Sequence, residues 1–340
     1  MKVLIAFVAV LYSHALFAGA FVFAGDSNGV NRITHPQGFS LSNNPQLNVT
    51  VCIDPTGSET TQLETSVRNI VNTWNQLNTA SPNLISGGSN NIPSGKIDWE
   101  SVTLHEVGHC LGLSHPNLGS QSSNGVSGSD TDFTQSTQGA DNSYDIGIAG
   151  AGTDGIKGSN DDQRDDDVNL HWFNKGINNP FVATLPYDSS NYSRDINDLP
   201  NSHSYVANAD RSVGSSLGFS NTEAVMQQGS FFDEDQRQLA IDDVATLSLG
   251  MSGIDVTANT ADDYTVNVIY GGVASGGDCD INIKHDPTYS GLAVCSTGGQ
   301  FLDSTHIVIT TANIRIGASF DWFYNTVPNG NDLIFSNGFE

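Results

Sequence analysis

The chain has 340 residues, with 12 Lys+Arg against 37 Asp+Glu and a formal net charge of −25. That balance argues against nucleic acid or an anionic membrane as partner, since both attract basic surface. The length holds one large domain or two ordinary ones, and 35 glycines with a hydrophobic fraction of 37% suit a loop-rich, β-containing chain.

Lys2 precedes an apolar run from Val3 to about Phe17, and Ala18-Gly19-Ala20 offers small residues for a signal peptidase. Residues 1–20 therefore read as a secretory signal with Phe21 as mature start, and the expected location is extracellular, where disulfides form. No later stretch is long and apolar enough for a membrane span. Leu47 to Ile53 alternates and is β-branched, so it reads as a strand. Asp54-Pro55-Thr56-Gly57 is a turn, and Thr61-x-x-Glu64 has the form of a capping box. Leu63, Val67, Ile70, Val71, Trp74 and Leu77 then recur at helical spacing. Residues 79–97, rich in Ser, Asn, Gly and Pro, read as loop. Asp98 is a suitable N-cap for the next helix, with Glu100 in its first turn.

That helix carries His105-Glu106-Val107-Gly108-His109-Cys110-Leu111-Gly112-Leu113-Ser114-His115. His105 and His109 lie one turn apart on one face, so both imidazoles can reach one metal ion. Gly112 can adopt the left-handed conformation that ends a helix, which lets His115 return as third ligand. Three neutral imidazoles leave a tetrahedral zinc one open position, the arrangement of a catalytic site. Glu106 stands beside the metal, placed to take a proton from water. Among the other histidines, His171, His203, His285 and His306 lack ligand spacing and read as surface or hydrogen-bonded residues.

The full string H-E-x-x-H-x-x-G-x-x-H resembles the metzincin clan of zinc endopeptidases, with every motif position matched. A strand followed by a long helix ending near Trp74-Asn75 is similar to the opening of matrixin-like members. The stretch Asn221 to Met226 resembles the approach to the metzincin Met-turn, and Ala240 to Leu247 resembles the closing helix of matrixins. The resemblance implies an α+β catalytic domain, a twisted mixed sheet plus helices, with strands in 79–97 that include a substrate-aligning edge strand. It implies Met226 beneath the zinc and Glu106 as catalytic base of a secreted endopeptidase. That enzyme hydrolyses peptide bonds with a zinc-activated water. Some metzincins carry an assisting tyrosine two residues after the Met-turn methionine; here that position is Gln228. The other class of reading is a secreted binding or adhesion protein that retains the fold without turnover. Expected partners are a protein or peptide substrate, with the chain itself a monomer.

Residues 117–209 read as an insertion within a protease domain covering 21–255. It contains Asp154, Asp161, Asp162, Asp165, Asp166 and Asp167, with Gly155 and Gly158 for tight turns. Hard oxygen ligands in a flexible loop suit calcium, the alternative being a solvated acidic loop. Asp235 to Leu249 reads as the closing helix. Tyr264–Tyr270, Asp280–Ile283 and Thr305–Ile309 alternate and predict a small all-β C-terminal domain over 256–330, with 331–340 as a tail. Cys279 and Cys295 lie in that small domain and flank a turn-rich segment, so they are expected to pair. Cys52 and Cys110 remain. A bridge between them is feasible if the sheet packs on the motif helix as in matrixin-like folds, and two buried free thiols are the alternative.

Overall fold

The computed structural model describes residues 21–24, 32–41, 45–78, 90–115, 172–175, 184–193, 198, 224–227, 229–274 and 276–329. In chain order its elements are β1 (Ile33–His35), β2 (Gln46–Ile53), α1 (Thr60–Gln76), β3 (Ile97–Asp98) and α2 (Trp99–Cys110). There follow β4 (Phe173–Asn174), β5 (Tyr192–Ser193), α3 (Ile241–Met251) and β6 (Thr265–Val273). The chain continues through β7 (Ile281–Asp286), β8 (Ala293–Phe301), β9 (His306–Gly317) and β10 (Trp322–Phe323). The signal segment 1–20, most of the insertion and the tail 331–340 lie outside the described residues.

β2 shows why these residues make a strand. Leu47, Val49, Val51 and Ile53 are buried, while Gln46 and Asn48 face solvent at the exposed end. β2 is central: it pairs in parallel with β6 on one side and with β7 on the other. β7 passes in parallel to β9. The first residues of β9 also pair in parallel with β1, and its other side carries the antiparallel β8. The result is an α+β protein with a six-stranded, mostly parallel sheet in which β8 is the antiparallel edge strand. α1 packs against β6, β2 and α2; α2 packs against β8 and β9. α1 buries Leu63, Val67, Ile70, Val71 and Trp74, as its spacing predicts, and Trp74 Nε1 donates to Leu104 O at 3.2 Å, which ties it to α2. No helix among the described residues is long and apolar enough to cross a membrane.

Four expectations are corrected. First, the strands assigned to a separate domain over 256–330 are the main sheet itself. β6 and β7 flank β2, β9 holds β1, and β10 pairs with β3. Asn325 and Asn329 hydrogen-bond Glu100 and Asn69, which binds the end of the sheet-forming region to both helices. Local alternation marks a strand but is silent about its neighbour, and these neighbours lie about two hundred residues away. Second, the stretch 79–97 is not loop to its end: its last residue, Ile97, begins β3, and residues 79–89 lie outside the described residues. Third, α1 begins at Thr60 with Glu59 in left-handed conformation and no side-chain cap, so the Thr61–Glu64 capping box does not form. α3 likewise starts at Ile241, later than Asp235.

The fourth correction concerns the cysteines. Cys52 pairs with Cys279 and Cys110 with Cys295, leaving no free cysteine. The pairing Cys279–Cys295 fails because β7 and β8 are not sheet neighbours: β9 lies between them. Cys279 precedes β7 next to β2, whereas Cys295 faces the helix. Peptide mapping without reduction should recover Cys52 linked to Cys279 and Cys110 linked to Cys295. A Cys279–Cys295 peptide would contradict the sheet order.

The buried histidines outside the motif are structural. His35 in β1 bonds through Nε2 to His306 Nδ1 at 2.8 Å and through Nδ1 to the Tyr264 hydroxyl at 2.9 Å, and it stacks on Phe39. His285 Nδ1 meets Ser58 Oγ at 2.9 Å. His285 and His306 are thus hydrogen-bonded, as expected, while His171 and His203 lie outside the described residues.

Candidate metal centre

α2 starts as its sequence predicts. Asp98 Oδ2 accepts from Ser101 N at 3.1 Å and from Ser101 Oγ at 2.5 Å. Arg237 clamps the same carboxylate through both oxygens, at 2.7 and 2.8 Å. Glu100 is buried and accepts from Asn69 and Asn325 at 3.0 and 2.8 Å. Burial pushes its carboxyl up to about 7 against the opposing pull of Arg237. These contacts fix the first turn of a helix whose residues are buried throughout except at His105, which is partly exposed.

The helix ends at Gly112, with φ +108. Gly112 N bonds His109 O and Leu113 N bonds Gly108 O, both at 3.0 Å, the paired closure of a Schellman turn. A Cβ at Gly112 would lie 2.6 Å from Thr34 O, so both conformation and space demand glycine. The reversal brings His115 back over the helix. Its Nε2 lies 3.1 Å from His109 Nε2 and 3.2 Å from His105 Nε2. Ligands on a tetrahedral zinc with bonds near 2.05 Å are separated by about 3.3 Å, so this spacing fits one ion.

The outer nitrogens set the tautomers. His105 Nδ1 faces Val225 O at 2.7 Å and His109 Nδ1 faces Leu113 O at 2.9 Å. A carbonyl only accepts, so each Nδ1 carries the proton and each Nε2 presents a lone pair inward. The Nδ1 of His115 is buried without a partner, so its Nε2 is free to present a third lone pair to a cation between the rings. Burial holds His105 down to about 4 and His109 down to about 3, and it lowers His115 well below the usual imidazole range. The ligands are therefore neutral without deprotonation. Zinc affinity should stay flat from pH 8 to 5 and fall only below about 4, measured by equilibrium dialysis. Half-release near the ordinary imidazole value of about 6.5 would contradict this. Among the described residues this triad is the one His/Cys/Asp/Glu cluster with the geometry to hold a metal.

Glu106 is buried. Its Oε2 is buried without a hydrogen-bond partner, and burial pushes the carboxyl up to about 8. Met226 is buried and packs its sulfur against Gly108, the residue before His109; a methyl there would overlap it and crowd Trp74. Asp243 of α3 holds this turn, accepting from Val225 N at 2.9 Å and Met226 N at 3.1 Å. The structure thus brings His105, Glu106, His109, His115 and Met226 together. Sequence reasoning missed Val225 O and Leu113 O, which are backbone atoms with no side-chain signature. It also missed β8, whose Ser-Thr-Gly-Gly run reads as turn.

Asp154, Asp161, Asp162, Asp165, Asp166 and Asp167, the calcium expectation, and Gln228 lie outside the described residues. A loop of related sequence is described at 253–263. Its Gly253, Val256 and Asn259 have positive φ, and glycines 152, 155 and 158 occupy the equivalent positions. There Asp262 and Asp263 accept the backbone N–H groups of Ile254 and Asn259, each at 2.6 Å.

Comparison with protein-family models, with curated proteins and with solved structures returned no match. The chemistry of the site therefore rests on its own geometry.

Proposed function

We propose that the chain is a secreted zinc endopeptidase of metzincin-like construction. The observation that carries the reading is the triad of inward Nε2 atoms with an unpaired, buried carboxylate oxygen beside it. His105, His109 and His115 would hold the zinc, which supplies a Lewis acid for the scissile carbonyl, acidifies water and favours the ionised form of Glu106. Glu106 would take the proton of the attacking water and return it to the leaving amine. β8 is an antiparallel edge strand beside α2, the role that the resemblance gives to the strand aligning an extended substrate. Here that strand follows the closing helix in sequence instead of preceding the motif helix. A metzincin reading thus requires the same sheet built from a different chain order. Two disulfides with no free cysteine support an oxidising, extracellular setting.

The test is cleavage of an unstructured protein by the purified chain, loss of that activity with a zinc chelator, and its return on adding zinc. Stoichiometric zinc binding with no cleavage of any unstructured substrate would favour a binding protein that keeps the site without turnover.

A further inference from the structure

Residues 21–24 are distant in sequence from the motif helix, yet they lie on the turn that ends it. Val22 N donates to Gly112 O at 2.9 Å, and Phe21 pairs with Leu113 as an antiparallel bridge. Ala24 N bonds Phe21 O at 3.2 Å, and Phe23 has φ +71, a left-handed value uncommon for a bulky residue, so the four residues form a hook. Phe21, Val22 and Ala24 are buried. The Phe21 ring lies against Gly250 of α3, and the Phe23 ring lies against Gly299 of β8. Thr34 of β1 backs the hook: its hydroxyl donates to Val22 O, and its carbonyl packs on Gly112.

The turn so held carries two parts of the metal centre. Leu113 O accepts from His109 Nδ1 at 2.9 Å, and His115 follows two residues later. The turn's own bonds, Gly112 N to His109 O and Leu113 N to Gly108 O, reach back to α2 and leave Gly112 O to the hook. His105 and His109 each have a carbonyl on Nδ1, whereas His115 Nδ1 has no partner among the described residues. The third ring therefore takes its place from the backbone that carries it. We propose that Phe21–Ala24 is a clasp that positions Leu113 and His115: pairing with the outside of the turn, it fixes the carbonyl that orients His109 and the backbone that delivers the third imidazole. This rests on the zinc-binding part of the reading above. A segment that merely added to the core would lower stability when weakened but would leave the zinc affinity of the folded chain unmoved.

The experiment compares wild type with Val22→Pro, which removes the N–H on Gly112 O, with Thr34→Val, which removes the hydroxyl on Val22 O at nearly constant shape, and with Val49→Ala, a core truncation in β2 that serves as control. Two quantities are read in the folded chains: zinc affinity by competition with a chelator, and amide exchange at Leu113, whose N–H closes the turn. Val22→Pro should weaken zinc binding about 10- to 100-fold, the scale seen when a partner that orients a ligand is lost. It should raise exchange at Leu113 by about tenfold or more, and Thr34→Val should move both quantities the same way by about threefold or more. Val49→Ala should lower the melting temperature and change neither. Unchanged zinc affinity in folded Val22→Pro overturns the proposal, as does an equal loss in Val49→Ala. If Val22→Pro fails to fold, Thr34→Val decides by the same two readings. A wild type that binds no zinc refutes the metal-centre reading instead, and exchange at Leu113 still decides whether residues 21–24 set the turn.

Discussion

Glu106→Gln keeps zinc at wild-type stoichiometry while peptide hydrolysis falls by about 10²- to 10⁴-fold, the usual contribution of a positioned acid–base group. Glutamine preserves the volume, so the local structure has no reason to change. What is lost is the lone pair of a carboxylate that takes and returns a proton. The same variant makes a second measurement possible without metal. Burial pushes the Glu106 carboxyl up to about 8 from its ordinary 4.5. A carboxyl raised on folding contributes stability below its unfolded value, and that contribution is lost as pH rises through the folded one. Zinc-free Glu106→Gln should therefore melt above zinc-free wild type at pH 7, by an upper bound of about 3 kcal/mol, and the gap should close by pH 4. Wild-type turnover in the variant would remove Glu106 from the reaction. An equal gap at pH 4 and 7 would remove burial as the cause of its shift.

The second large effect is expected at Asp243. Its carboxylate is buried and accepts three backbone N–H groups: Ala240 at 2.6 Å, Val225 at 2.9 Å and Met226 at 3.1 Å. It caps α3 and anchors the turn that packs under α2 with one group. Asp243→Ala strands all three donors, each costing about 1–3 kcal/mol when buried without a partner. The melting temperature should fall by about 10 °C or more. The turn also supplies Val225 O, which orients His105, so zinc affinity should drop about 10- to 100-fold, as for other partners that orient a ligand. Asp243→Asn keeps one acceptor oxygen and should fall between the two. Unchanged melting and zinc affinity in Asp243→Ala would show that the turn is held by other contacts.

How far the residues speak for themselves differs by distance along the chain. The spacing of His105, His109, Gly112 and His115 is an intrahelical and turn property, settled within eleven residues, and it places three nitrogens correctly. Asp98 as N-cap and the buried face of α1 belong to the same class. The calcium expectation at Asp154 to Asp167 stands apart, because its residues are not among those described. The alternation in 265–273 and 306–309 identifies strands, yet the nearer neighbours in sequence suggest a separate small domain. β8 escapes notice because Gly298 and Gly299 weaken its pattern, although it is a strand packed on α2.

By itself, then, the sequence determined the geometry of the histidine triad, the helix that bears it, and the secondary structure of most segments, because each depends on φ/ψ preference and on spacings of a turn or two. The tertiary structure alone decided that the late strands complete the sheet begun by β2. It also decided that Cys52 meets Cys279 and Cys110 meets Cys295, and that backbone carbonyls of Leu113 and Val225 orient two histidines of the triad. The physical reason is that strand pairing and disulfide choice are long-range. Backbone hydrogen-bonding groups are the same at every residue, so only the packed fold selects which of them meet.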